Sequence, residues 1–204
     1  SLIVGALLVL TACTKSASTQ EESATTDAVP VSTTSPIADA TTTSMAASTS
    51  QSDETFTVTS SAMVDGGTLP VQFTCDGASQ SPPIAWSGAP AGTKSFAVLM
   101  DHQPGPGDWH WYWTLWGIKS STSSIAAGTT GDATVGTNSV NRELAYTPPC
   151  SKGPGAKAYT ITVFALSATP KISDANTVDR TALLAAVEGI TLAKSSITVT
   201  YTRS

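Results

Sequence analysis

The chain has 204 residues, a net charge of −5, 40% hydrophobic residues and only 12% charged ones. Its lysines and arginines are dispersed and form no basic stripe, so composition argues against a nucleic-acid partner, which would need a positive footprint for phosphates. The same acidic balance disfavours nonspecific adhesion to anionic lipid.

In chain order, the first feature is Leu2 to Leu10, an apolar run far shorter than the roughly 20 residues of a membrane-spanning helix. It reads as the core of a signal peptide. No Met and no basic segment precede it, so residues 1–12 are expected to be a signal peptide that lacks its first residues. Leu10-Thr11-Ala12-Cys13 then resembles the lipobox of bacterial lipoproteins, in which the signal is cut before the cysteine and the cysteine receives lipid. Cys13 is therefore the expected membrane anchor, since buried acyl chains hold a protein at a bilayer by about 0.8 kcal/mol per methylene. The alternative is an ordinary secretory signal with an incidental cysteine.

Residues 13–54 are dominated by Ser, Thr and Ala, with scattered acids and few large apolar side chains. Such a segment cannot bury enough surface to offset its ordering entropy and is expected to be a disordered tether. Residues 55–204 suffice for one well-buried domain and not for two. Setting Cys13 aside leaves Cys75 and Cys150, an even number in an exported, oxidising setting. A disulfide between them is expected; free thiols and metal ligation are the alternatives, the latter without support from any CxxC-type spacing.

Phe56 and Val58, Val71 and Phe73, Ile161 and Val163, and Ile197, Val199 and Tyr201 lie in alternating, β-branched runs that predict half-buried strands. Gly66-Gly67, Asp76-Gly77, Ser87-Gly88, Gly128 to Gly131 and Gly153 to Gly155 supply turn signals between them. Val178 to Glu188 places Leu183, Leu184 and Val187 on one face and ends at Gly189, which predicts a helix with a glycine cap. The fold class is mainly β, an antiparallel β-sandwich with a helix before its last strand.

The segment from Asp101 to Trp111 combines an acid, histidines and rigid turn residues. The apolar run Phe96 to Met100 is of buried-strand type, so Asp101 is expected at a strand end, with prolines and glycines carrying the chain back to His110. A carboxylate favours imidazolium, and imidazolium donates to an anion, so this pair predicts a pocket for a phosphate-like group. A histidine among Trp109, Trp111, Trp113 and Trp116 is equally compatible with a packed core side chain.

Phe73-Thr74-Cys75-Asp76-Gly77, Ser81-Pro82-Pro83-Ile84-Ala85-Trp86, the run from Thr93 into Asp101, Trp109-His110-Trp111, Tyr146-Thr147-Pro148-Pro149-Cys150 and Tyr159 to Leu166 occur in order. Together they resemble the bacterial branch of the phosphatidylethanolamine-binding protein family, which includes the Raf kinase inhibitor proteins. The resemblance covers nearly all of residues 55 to 204 and implies the same sandwich. It implies that Asp101 opens the ligand loop, that His110 faces it, and that Tyr159 could donate its hydroxyl to a ligand oxygen, a strand-start aromatic with its hydroxyl in solvent being the equal alternative. Pro104 or Pro106 is expected to stiffen the wall, and the amides of Gly153 and Gly155 could add donors, although glycine-rich turns are mostly only turns. The chain departs from the family in having Gln103 where a second acid usually follows, and Lys157 where a histidine precedes the tyrosine by two residues. Both changes make the pocket more positive, although Lys157 could instead pair with Asp101 and plug it.

The expectation is a non-enzymatic, lipid-anchored binding protein of the bacterial cell envelope, periplasmic or surface-exposed, without a cofactor. It would take a phosphate or phospholipid headgroup through Asp101, His110, Lys157 and Tyr159. A second reading makes the same pocket the grip of an interaction protein on a partner enzyme, as the kinase-inhibitor relatives imply. A third, a metal-dependent hydrolase, would draw on Asp101, His102, Asp108 and His110 as ligands, but no GxSxG elbow or Ser-His-acid set is evident.

Overall fold

A computed structural model describes residues 55–203. The expectations for the signal peptide, Cys13 and the tether lie outside the described residues. Strands β1 (Thr57–Thr59), β2 (Ile84–Ser87) and β5 (Ser124–Ile125) form one antiparallel sheet in the order β1-β2-β5. Strands β6 (Thr134–Val135), β4 (Asp108–Lys119), β3 (Ser95–Gly105), β7 (Lys157–Leu166) and β8 (Thr191–Tyr201) form the second, in that order. Helix α1 (Arg180–Val187) precedes β8, as expected.

The larger sheet is covered on both faces. Its inner face packs Met100, Trp113, Ile161 and Val199 against Phe73 and Trp86, while its outer face packs Leu99, Trp116 and Phe164 against Leu183 and Val187 of α1. Burial on both faces explains why Phe96 to Met100 is continuously apolar instead of alternating. Helix α1 starts two residues later than the periodicity suggests because Asp179 caps it, its carboxylate accepting from the Ala182 amide at 2.9 Å. Gly189 follows at φ 75°, the left-handed conformation that ends a helix at little cost only in glycine.

Two local expectations are corrected. Val71 and Phe73 belong to a 3-10 turn, not a strand. Pro70 fixes the entry, and Thr74 closes the turn by donating its amide and its hydroxyl to the Val71 carbonyl at 2.9 and 2.8 Å. The segment after Met100 is not a loop either: β3 continues to Gly105, pairs Gly105 with Asp108, and turns through Pro106 and Gly107 alone, the latter at φ 78°. Proline before a glycine of positive φ is the composition of a tight turn.

Cys75 and Cys150 form a disulfide with Cα atoms 5.2 Å apart. It joins the end of the 3-10 turn to the connection that leads into β7.

Candidate functional site

An irregularity in β4 decides which side chains meet. Met100 pairs with Trp113 but Asp101 pairs with Trp111, so Tyr112 is an extra residue, a β-bulge. Tyr112 and Trp113 therefore both enter the inner core although they are neighbours. Beyond the bulge, the alternation of side chains along β3 resumes. Asp101 accompanies Leu99 on the outer face, and His102 turns its ring inward.

At the open end of the inner face, His102, His110, Tyr112 and Tyr159 form an aromatic cluster. The His102 ring lies 5.1 Å from Tyr159 and 6.3 Å, edge-on, from His110, and Tyr112 meets Tyr159 edge-on at 5.3 Å. His102 Nδ1 is 2.7 Å from the Ala158 carbonyl, which can only accept, so Nδ1 carries a proton and Nε2 is the free nitrogen. Lys157 stands two residues before Tyr159 on β7 and hence on the same face. Among the described residues its ammonium donates to the Pro154 carbonyl alone, at 3.4 Å.

Ser151, next to the disulfide, completes this end. Its hydroxyl is buried and, among the described residues, makes no well-formed hydrogen bond, with the Tyr159 hydroxyl its near neighbour. It lies near enough to Tyr159 to favour the phenolate, as does the Tyr112 hydroxyl, but burial outweighs both and holds the Tyr159 phenol above its ordinary pKa. Burial likewise raises Tyr112 and Tyr146. These phenols are thus donors at neutral pH. A buried unpaired hydroxyl costs about 1–3 kcal/mol unless something hydrogen-bonds it.

Asp101 takes no part in this cluster. On the outer face its carboxylate accepts from Arg180 Nε at 2.7 Å, and the Arg180 guanidinium stacks on Trp109, 3.4 Å from the ring centroid. Burial raises the Asp101 pKa, while the bond and charge of Arg180 lower it in part.

Asp101 and His110 do not pair with each other: Asp101 is held by Arg180 and His110 lies beside Asp108, while His102 stands between them, bordering the Asp101 cavity and meeting the His110 ring edge-on. Lys157 does not plug Asp101, because Arg180 already neutralises it. Of the expected site, Lys157, Tyr159 and His110 come to one face, His110 at its exposed margin with Asp108 3.5 Å from Nε2. Pro104 is exposed on the β3–β4 hairpin, and Gly155 lies in the turn before β7 at φ 89°. His102, Tyr112 and Ser151 were missed as site residues, and Arg180 as the partner of Asp101. Among the described residues no three His, Cys, Asp or Glu side chains converge as metal ligands, so Asp101, His102, Asp108 and His110 do not form a shared metal site.

Comparison with known proteins places this geometry in context. The family model for phosphatidylethanolamine-binding protein matches residues 59–202. A UPF0098 protein of Mycobacterium bovis is 33% identical over 121 residues, covering 59% of this chain and 58% of the relative. The chain thus spans less than two thirds of that relative's length. A Mycobacterium tuberculosis relative named as a proposed lipoprotein, LppC, is 35% identical over 115 residues, 55% of this chain and 56% of its own. The crystal structure of E. coli YbcL, described as a new member of the mammalian family, has 26% identity and a TM-score of 0.66 over 73% of this chain and 99% of that one.

Proposed function

The chain belongs to the phosphatidylethanolamine-binding protein family, and from that premise we propose that it is an exported, lipid-anchored, non-enzymatic binding protein. Its site is the inner-face cluster around Tyr159, and its ligand is a small anion, a phosphate or a phospholipid headgroup. The observation that carries this reading is the grouping of buried hydroxyls of Ser151, Tyr112 and Tyr159 at one end of the inner face, the phenols remaining protonated. Hydroxyl and phenol donors suit an acceptor-only ligand, with the nearby carboxylates of Asp108 and Asp76 already engaged by His110 and by Tyr201 and Arg203. Lys157 adds a point charge with donors to spare. Asp101, the acid that would repel an anion, is withdrawn to the other face and satisfied by Arg180. Lipid anchoring at Cys13 is supported by the lipobox-like Leu10 to Cys13 and by the relative named as a proposed lipoprotein.

The test is calorimetric titration of the unlipidated Cys13→Ser chain with inorganic phosphate, a phosphate monoester and a short-chain phosphatidylethanolamine. The reading expects saturable, one-to-one binding of at least one of them, weakened by about 1 kcal/mol in Ser151→Ala as one hydrogen bond is lost. Absence of binding by all three, or binding indifferent to Ser151→Ala, overturns it.

A further inference from the structure

The outer side of β8 carries features that the anion site does not use. β8 is an edge strand, and its second half is already extended by another segment: Gly66 donates to the Thr198 carbonyl, Thr200 to Gly67, and Leu69 to Thr200. Thr198 and Thr200 therefore point their backbone groups away from β7. By the two-residue alternation of an antiparallel ladder, Lys194 and Ser196 do the same. Among the described residues nothing in the backbone pairs with them. Both side chains are exposed, and among the described residues the backbone pairing along this edge stops halfway.

Beside this edge runs a trough on the outer face. A cavity of about 570 Å³ at its polar end is bordered by Asp101, Arg180, Lys194 and Ser196. One of about 720 Å³ at its apolar end is bordered by Phe164, Leu184, Val187 and Leu192. Phe164, Arg180, Leu184 and Lys194 border both, so the two are continuous. Leu192, the residue inserted where the β7–β8 register shifts, is 44% exposed at the rim. Arg180 is neutralised by Asp101, whereas Lys194 enters no ion pair among the described residues.

We propose that the Leu192–Ser196 edge of β8 takes an extended peptide segment of a partner protein as a sixth strand of the larger sheet. The partner segment carries an acidic residue for Lys194 and apolar residues two positions away for the trough. Main-chain pairing along Lys194 and Ser196 supplies the register, and every second side chain of the added strand falls on the outer face. Continuity with the Gly66–Leu69 pairing and the unpaired charge of Lys194 favour this occupant over an apolar small molecule, which would leave the backbone groups unmet. The trough lies away from Tyr159, with His102 the one member of the inner cluster that also borders its polar cavity.

The probe is a fluorescein-labelled peptide, acetyl-Thr-Leu-Thr-Asp-Thr-Leu-Thr-Leu-amide, titrated by anisotropy with the Cys13→Ser chain. Saturable binding is expected, weakened at least about tenfold by Ser196→Pro, which removes the outward N–H while leaving the β7 ladder intact, a loss of roughly one net hydrogen bond. A peptide N-methylated at its Asp amide reads the same pairing without altering the protein and should also fail to bind. Exchanging the peptide's Asp for Lys should abolish binding, and Lys194→Glu should restore it for that peptide. Failure of the Asp peptide to saturate, equal binding by a folded Ser196→Pro variant, or indifference to the charge exchange overturns the proposal. So does sedimentation that finds the parent a dimer which Ser196→Pro dissociates, since a second copy then holds the edge.

Discussion

Asp101 and Arg180, 79 positions apart in the chain, meet at 2.7 Å on the face of the sheet opposite Tyr159. The pair pins the first turn of α1 to β3, with Trp109 stacked over the guanidinium. Both side chains are largely buried, at 18% and 11% exposure. Arg180→Ala strands a buried carboxylate and should destabilise the domain by about 3–5 kcal/mol. Urea unfolding of Arg180→Ala and of an Arg180→Met, Asp101→Asn double variant checks this. The double variant should recover much of the loss, because no charge is then left buried, and a loss as large as that of Arg180→Ala would refute the account.

Asp76 behaves in the opposite way to Asp101. The Tyr201 hydroxyl, and secondarily Arg203, hold its carboxyl below the ordinary value of 3.8. A depressed folded pKa contributes stability that is present above the unfolded value and lost as pH falls through the folded one. Asp76→Asn should therefore unfold more readily than the parent near neutrality, and the difference should shrink progressively below pH 3.8. Denaturation midpoints measured from pH 2 to pH 7 decide it; a gap that stays constant to the acid end would rule out the linkage.

How much of this was legible in the chain differs by element. The helix was readable because Leu183 and Val187 recur at helical spacing and Gly189 stops them, and the last strand because Ile197, Val199 and Tyr201 alternate. The face of Asp101 was not readable. Phe96 to Met100 is apolar throughout because both faces of β3 are covered, so no alternation shows which way the next residue points. The bulge at Tyr112 then shifts β4 by one residue, which moves every later side chain of that strand to the other face relative to a regular count. Arg180 carries no local sign of its partner on β3, since that contact exists only after the sheet and helix have packed. Lys157 and Tyr159, two residues apart on a clearly alternating strand, could be assigned to one face from sequence alone.

The disulfide closes a loop of 75 residues between Cys75 and Cys150. Its removal should cost about 2–4 kcal/mol, mainly by enlarging the unfolded ensemble. It also frees the neighbour of Ser151, so the Cys75→Ser, Cys150→Ser double variant should lose phosphate affinity even where it is fully folded. Unfolding curves and phosphate titration of the same preparation separate the two effects, and unchanged affinity would show that the bridge does not shape the site.

The proposed lipid attachment at Cys13 predicts that, expressed in a bacterial host behind the same lipoprotein leader, Cys13→Ser appears in the soluble fraction while the parent chain remains with membranes through a carbonate wash. Acyl chains on the parent are to be read by mass spectrometry. A Cys13→Ser chain still retained by washed membranes would mean that another part of the protein holds it there.

The sharpest check on the site compares Lys157 with Asp101, since the resemblance named both and the structure separates them. Lys157 lies on the Tyr159 face, where its ammonium is committed, among the described residues, to one carbonyl at 3.4 Å, so Lys157→Ala should weaken binding of a phosphate monoester by about 1–3 kcal/mol, the range for a hydrogen bond to a charged group. Asp101→Asn keeps the shape of its side chain on the outer face and should leave the same affinity within about twofold, less than the roughly 1.4 kcal/mol that a tenfold change requires. Tyr159→Phe should fall between them, because it removes one neutral donor while preserving the ring that packs on His102. Titration calorimetry at one pH and ionic strength, on variants shown to be folded by circular dichroism, ranks the three. The opposite ranking, with Asp101→Asn crippling and Lys157→Ala silent, would return the anion to the outer face and overturn the assignment of the site to the inner one.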